Sequence, residues 1–264
     1  MLSISTPKTL SGIKSLANTI RREKGIPHYQ ALDEAARRAG SENWAHALRY
    51  FPSTSPTTAY WCEFVVHWWD RDDRTAGAEH LRLPITMPLS KLVTQERLLR
   101  ASYIGGFSKE GTEYLVDRSM RAPSKSTATW QAMRAARTLQ FMEATGLRPS
   151  ASRLRHHPEG RWELRVPGYD HGTKWFSPLN RTYLLIDEPY GARDNDLERA
   201  EWAARYGRQI VRPPWGGMHN PDGGTVAYLI AEQGIDLANV CKAVEGLEAA
   251  QTSWISSSMT FEGW

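Results

Sequence analysis

Tyr60-Trp61-Cys62-Glu63-Phe64-Val65-Val66-His67-Trp68-Trp69 is aromatic and β-branched, the composition of a strand. It follows Pro52-Ser53-Thr54-Ser55-Pro56-Thr57-Thr58, which is polar, proline-bounded and aperiodic and reads as a linker. Before this junction the chain has helical patterning alone. After it, strand-like and helical segments mix without a regular βαβ alternation. That contrast favours an α+β fold, with a mainly antiparallel or mixed sheet, over a doubly wound one. The expected division is a three-helix module over residues 1–52, a linker over 53–59 and an α+β domain over 60–264.

In the N-terminal module, Ile13, Leu16, Ala17 and Ile20 fall at i, i+3, i+4 and i+7, one stripe of a helix. Gly25 is placed to end that helix, because glycine takes a left-handed cap without a Cβ penalty. Pro27 suits the first turn of a second helix that carries Leu32, Ala35 and Ala36 and stops at Gly40. Ser41 is the expected N-cap of a third helix, with Trp44 and Leu48 on one face. Ala36 and Gly40 have the spacing of a helix-turn-helix. Ser41, His46 and Arg49, however, stand where a recognition helix needs apolar seats, so docking is a better reading than DNA reading.

Downstream, residues 70–77 read as a charged turn and 81–87 as a returning edge strand interrupted by Pro84. A long helix is expected over 126–145, with Trp130, Met133, Ala136, Leu139 and Met142 at helical spacing and Gly146 as its cap. Strands are expected at 161–166, 175–176, 183–186, 209–212 and 226–231. Helices are expected at 196–206 and 237–250.

The chain has 264 residues, formal charge +4 and 11 Trp. Its Trp content implies core packing first and a stacking surface for bases second. Between Lys91 and Arg155 the bases outnumber the acids, the bias a phosphate-facing surface needs. Arg97, Arg100, Arg118, Arg121, Arg134 and Arg137, with Trp215 from a proline- and glycine-rich loop, are the candidate contacts to DNA, RNA or a protein partner. Cys62 and Cys241 are far apart and form no CxxC pair, which speaks against a disulfide framework or zinc knuckle. No apolar run reaches the roughly 18–20 residues of a membrane span. A cytoplasmic location without membrane contact is expected.

Catalytic motifs are incomplete. Tyr183-Leu184-Leu185-Ile186-Asp187-Glu188 looks like the strand and acidic pair that holds Mg²⁺ in nucleotide hydrolases. The lysine-bearing glycine loop those enzymes need is missing from the sequence. Neither HExxH nor GxSxG occurs. The best set for acid–base or metal chemistry is Asp170, His171, Asp187 and His219, which would have to converge at the mouth of one sheet. No cofactor and no defined metal set follows from these spacings.

Two resemblances add to this. Ile13-Lys14-x-x-Ala17-x-x-Ile20, Gly25-Ile26-Pro27-His28-x-x-Ala31-Leu32-Asp33-x-Ala35-Ala36, Gly40 and Asn43-Trp44-x-x-Ala47 resemble a small helical domain of bacterial proteins found ahead of glyoxalase-like and other domains. The C-terminal part resembles an uncharacterised bacterial family whose members travel with plasmids and integrated conjugative elements. It does so through Leu139-Gln140-Phe141-Met142-x-x-Thr145-Gly146-Leu147-Arg148-Pro149, Leu185-Ile186-Asp187-Glu188-Pro189-Tyr190 and Trp215-Gly216-Gly217-Met218. That resemblance implies a mobile-element accessory role and carries over no catalytic residue. The expectation is therefore a non-catalytic accessory protein binding nucleic acid or a protein. A metal-dependent hydrolase or nuclease-like enzyme using the Asp/His set is the alternative.

Overall fold

The protein is described by a computed structural model covering residues 7, 10–50, 60–152, 154–190, 195–247 and 253–260. It divides into two compact units, residues 1–57 and 58–264. The expected linker at 53–59 lies outside the described residues.

The first unit holds α1 (Leu10–Lys24), α2 (His28–Arg38) and α3 (Trp44–Tyr50). Ile13, Ala17 and Ile20 of α1 pack against Ala31, Ala35 and Ala36 of α2 and Ala47 of α3, all fully buried. α1 ends at Gly25, whose amide donates to the Arg21 carbonyl at 3.0 Å and whose φ of 64° then turns the chain out of the helix. The expected Ser41 cap is corrected. Gly40 donates to the Arg37 carbonyl at 3.0 Å and Ser41 to the Ala36 carbonyl at 2.9 Å. This pair of bonds is the Schellman closure of α2. Ser41 therefore finishes the second helix, and Asn43 caps the third by accepting from the His46 amide at 2.8 Å. Pro27 likewise stands just outside α2, at its N-cap.

The second unit is α+β, built on two five-stranded sheets. The first contains β1 (Tyr60–Asp70), β2 (Thr75–Ile85), β3 (Phe107–Glu110), β4 (Tyr114–Asp117) and β10 (Ser253–Thr260), in the order β10-β2-β1-β4-β3. It is mixed, because β1 runs parallel to β4 while its other pairs are antiparallel. The second contains β5 (Arg148–Pro149), β6 (Thr173–Ser177), β7 (Thr182–Asp187), β8 (Gln209–Val211) and β9 (Tyr228–Ala231), in the order β5-β6-β7-β9-β8. Its pairs are all antiparallel.

Between β2 and β3 lie the short helices α4 (Leu89–Leu92) and α5 (Gln95–Leu98). The long helix α6 (Lys125–Thr145) is capped by Ser124, which accepts from the Thr127 amide, and closed by Gly146 at φ 67°. Its small residues Ala128, Ala132, Ala135 and Ala136 share one buried cluster with Phe64, Val66, Leu81 and Leu83 of the first sheet and Leu184, Ile186 and Leu229 of the second. A helix buried on more than one side needs apolar residues beyond a single stripe. On its far face the second sheet carries α7 (Asp196–Arg205), through Leu185, Tyr228 and Ile230 against Trp202 and Ala203. α8 (Leu237–Val244) completes the described helices.

Three expectations are corrected here. The charged turn is shorter than 70–77: Asp70 accepts from the Asp72 and Asp73 amides, Arg74 turns at φ 50°, and β2 resumes at Thr75. β2 is an inner strand, flanked by β1 and β10. Pro84 is tolerated because the β10 pairing ends at Arg82, so no described neighbour needs its missing N–H. Residues 161–166 form no strand; Pro158–Gly160 and Trp162–Leu164 are 3₁₀ turns. Glu159 at φ 53° and Gly160 at φ 67° break the extended run at its entrance.

Candidate functional site

Alternation along β7 separates the acidic pair at its end. Leu184 and Ile186 face the α6 side and Leu185 the α7 side, so Asp187 and the following Glu188 point to opposite layers. Asp187 meets Arg199 of α7 in an ion pair of 2.8 Å, with both side chains out of solvent. It also accepts the Asp170 amide at 2.8 Å. Burial raises its carboxyl to about 6, against the pull of Arg199.

Glu188 faces the other way and accepts the amides of Met218 at 2.7 Å and His219 at 2.6 Å with one oxygen. Gly217, at φ 84°, has no Cβ to occupy the space this carboxylate fills; an added Cβ would lie 2.1 Å from Glu188 Oε2. Burial pushes the Glu188 carboxyl up to about 7, opposed by the two amides and by Arg134 and Arg137. Arg137 of α6 holds the same loop from above, donating to the Gly217 carbonyl at 3.0 Å and the Pro221 carbonyl at 3.1 Å.

The anchored loop presents His219 to His171, and the two imidazoles stack with centroids 3.5 Å apart and planes 11° from parallel. His171 adopts φ 51°, and its Nε2 lies 3.2 Å from the Asp170 carboxylate. Arg134 approaches His219 Nδ1 at 3.1 Å. A guanidinium can only donate, so Nδ1 is the acceptor and the proton is assigned to Nε2, which faces the Tyr190 hydroxyl at 3.4 Å. Burial first, and then Arg134 and His171, lower His219 to about 4. The Arg134 guanidinium lies between the Tyr103 and Trp130 rings, 3.9 and 4.1 Å from their centroids. Trp130 also lines an open cleft of about 610 Å³ with Asp70, Lys125, Met133 and Asp222.

Three of the four residues expected at an acid–base site, Asp170, His171 and His219, are thus brought together. Asp187 touches the group only through the Asp170 amide and spends its carboxylate on Arg199. Among the described residues no three His, Cys, Asp or Glu side chains are placed to hold a metal ion. Cys62 is buried, and burial raises its thiol well above the usual range.

Most of the expected basic contacts already have partners. Arg100 pairs with Glu96 and Arg118 with Glu110. Arg97 is half-buried on α5, and Arg121 is exposed. Arg134 and Arg137 are engaged inside the loop cluster. Trp215, expected as a contact to DNA, RNA or a protein partner, is buried, and its face lies on Phe141 with centroids 5.4 Å apart.

A different surface gathers aromatic and cationic groups. The face of the first sheet turned away from α6 bears Trp61, Glu63, Val65, His67 and Trp69 of β1, with Ala78, His80 and Arg82 of β2 and Tyr114 and Val116 of β4. Val65, Ala78 and Val116 form a small buried cluster there. Trp61 is 37% and Trp69 44% exposed. Arg82 lies over the Trp61 ring at 4.6 Å and Arg71 over the Trp69 ring at 5.5 Å. The Glu63 carboxylate lies 2.9 Å from His80 Nδ1 and 3.5 Å from the Arg82 guanidinium. Abundant Trp in β1 signals aromatic packing, and strand alternation is the signal that sets Trp61 and Trp69 outward and Trp68 inward.

No protein-family model matches the chain, and neither does any curated protein or solved structure. No helix among the described residues is long and apolar enough to cross a membrane.

Proposed function

We propose that the chain is an accessory protein of a mobile genetic element that works by binding and not by catalysis, and that it binds single-stranded nucleic acid on the outer face of the first sheet. The observation that carries this is the pair of exposed indoles, each with a guanidinium over its ring: Trp61 with Arg82 and Trp69 with Arg71. Flat aromatic surfaces accept any base, and neighbouring arginines meet the phosphates. Eight residues of strand separate the two indoles, about 26 Å at roughly 3.3 Å per residue, so one extended strand would touch both. The mobile-element setting is supported by the C-terminal resemblance alone. The separate helical module is read as a docking element for a protein partner.

The test is a titration of the protein with oligo-dT and oligo-U at about 50 mM salt, where phosphate contacts are strongest, read by tryptophan fluorescence and gel mobility. Binding that weakens with salt and is lost in Trp61→Ala/Trp69→Ala supports the reading. Unchanged fluorescence and mobility with both polymers overturn it.

A metal-dependent hydrolase is the second reading, favoured by the convergence of Asp170, His171 and His219. Against it, both nitrogens of His219 are engaged and both buried carboxylates serve as internal anchors. Metal-dependent turnover of a phosphodiester or ester that disappears in His171→Ala would establish it.

A further inference from the structure

We propose that β10 is a dimerisation edge, pairing antiparallel with β10 of a second copy of this chain to join their first sheets into one. The inference is independent of what the outer face binds.

β10 is hydrogen-bonded to β2 along all eight of its residues, from Ser253 opposite Arg82 to Thr260 opposite Thr75. Even so, every one of those residues is exposed, on both faces of the sheet. The strand is tied to the core by Glu79, which accepts from Trp68 Nε1 at 3.2 Å and from Ser256 Oγ at 2.6 Å. β10 ends the strand order, so among the described residues its other edge has no partner. Alternate residues of such an edge turn their N–H and C=O groups away from the sheet, where they bond to water or serve as a template for another strand.

Edge strands are normally protected by lysine, proline, a bulge or an inward-pointing charge. Ser253-Trp254-Ile255-Ser256-Ser257-Ser258-Met259-Thr260 has no charged residue and no proline, and its register with β2 is unbroken by a bulge. Ile255 and Met259 are 62% and 64% exposed on the outer face.

Self-pairing suits this sequence better than an unrelated strand would, because its symmetry solves the register. A two-fold axis through Ser257 keeps like faces together. It sets Ile255 of one copy opposite Met259 of the other, Trp254 opposite Thr260, and Ser256 opposite Ser258. The apolar pair meets on the outer face, the small serines allow close approach at the axis, and no like charges meet. Two strands alone make an interface below the standard size, so the association should be concentration-dependent.

The experiment is sedimentation equilibrium of the full chain from low concentration up to roughly 100 µM, a hundredfold above a micromolar Kd. The expected result is a weight-average mass rising from 29.9 kDa toward twice that value, and a single 29.9 kDa species in Ile255→Lys/Met259→Lys. Ser257→Cys should form a disulfide-linked dimer on mild oxidation, above the background set by buried Cys62 and half-buried Cys241. It decides the matter should the lysine variant lose its circular dichroism. A wild-type chain that stays monomeric over the whole range overturns the proposal. So does a dimer that survives the lysine substitutions and is not captured by Ser257→Cys.

Discussion

The carboxylate of Asp187 lies 2.8 Å from the guanidinium of Arg199, and neither group reaches solvent. This pair clamps the end of β7 to α7, and Arg199 also donates to the Gly168 carbonyl at 2.9 Å. Removing one partner of a buried pair leaves the other charge uncompensated, which costs about 3–5 kcal/mol. Asp187→Ala and Arg199→Ala should each lose stability on that scale. The joint replacement Asp187→Leu/Arg199→Met should lose much less, because no unpaired charge remains. Urea unfolding of the three variants checks this; equal losses for single and joint replacements would show that the pair acts through packing alone.

Glu188 and Gly217 make a second coupled position. A methyl group at Gly217 would strike Glu188 Oε2 at 2.1 Å and would sit on a backbone at φ 84°. Gly217→Ala should therefore cost more than the roughly 1–3 kcal/mol of left-handed strain alone, since the carboxylate must also leave its two amides. Glu188→Gln keeps one oxygen for the Met218 and His219 amides and removes the charge. The folded carboxyl is raised to about 7 from an ordinary 4.5, so its contribution is fully present below 4.5 and is lost as pH rises through 7. Wild-type stability measured against Glu188→Gln should fall across that window, and parallel profiles would refute the assignment.

Much of this fold is legible in the sequence, and the reasons for the remainder are physical. α1, α2 and α6 announce themselves by periodicity and by glycines that adopt left-handed caps. β1 announces itself by composition. β3, β4 and β10 do not: Phe107–Glu110 and Tyr114–Asp117 are four residues each and end on an acid, and Ser253–Thr260 is half serine. Such strands are strands because a neighbour templates each of them, β1 for β4, β4 for β3 and β2 for β10, a tertiary fact. The site divides in the same way. Asp170, His171 and His219 are polar residues at turns, and such positions invite attention. Tyr103, Arg134 and Tyr190 join them from distant segments. The opposite facing of Asp187 and Glu188 follows from strand alternation, yet which of them meets Arg199 depends on where α7 packs.

Acid should expose another internal feature. His156 and His157 are both buried, and burial lowers each to about 4 from an ordinary 6.5. His156 Nε2 meets the Trp175 carbonyl at 3.2 Å, while the His157 ring packs edge-on to Trp162 and Tyr169, with centroids 4.8 and 5.9 Å away. Because the unfolded chain protonates first, their contribution is complete above pH 6.5 and is lost as pH falls toward 4. This slope opposes that of Glu188, so substitution is needed to separate them. His157→Phe should be less acid-sensitive than wild type in urea midpoints taken from pH 7 to 4; an unchanged profile would exclude His157 as a source of acid lability.

For the outer sheet face, each base stacked on an aromatic ring is worth about 1–3 kcal/mol, or roughly 5- to 150-fold in Kd. Trp61→Ala and Trp69→Ala should each weaken oligonucleotide binding within that range. Arg82→Ala should instead lower the slope of log Kd against log salt, by roughly one unit per lost phosphate contact. Trp254→Ala, on the opposite face, should leave both quantities unchanged. Equal effects of Trp61→Ala and Trp254→Ala would mean that binding does not use the outer face.

Gly77 decides whether β10 can lie where it does. It pairs with Trp68 on one side and Ser258 on the other. A Cβ at this position would sit 2.0 Å from the Ser257 carbonyl oxygen and 2.8 Å from Cζ2 of the Trp68 indole. The backbone oxygen cannot turn aside as a side chain could, so Gly77→Ala must push β10 off β2 or displace Trp68 from the core. Overpacking of this kind costs about 1–3 kcal/mol. Since β10 has one strand neighbour among the described residues and Trp68 is held by a packed interior, the strand should yield. Hydrogen exchange should then accelerate over residues 253–260 while β1 keeps its protection. If the Trp68 near-ultraviolet signal collapses and the β10 amides stay protected, the indole is the softer of the two.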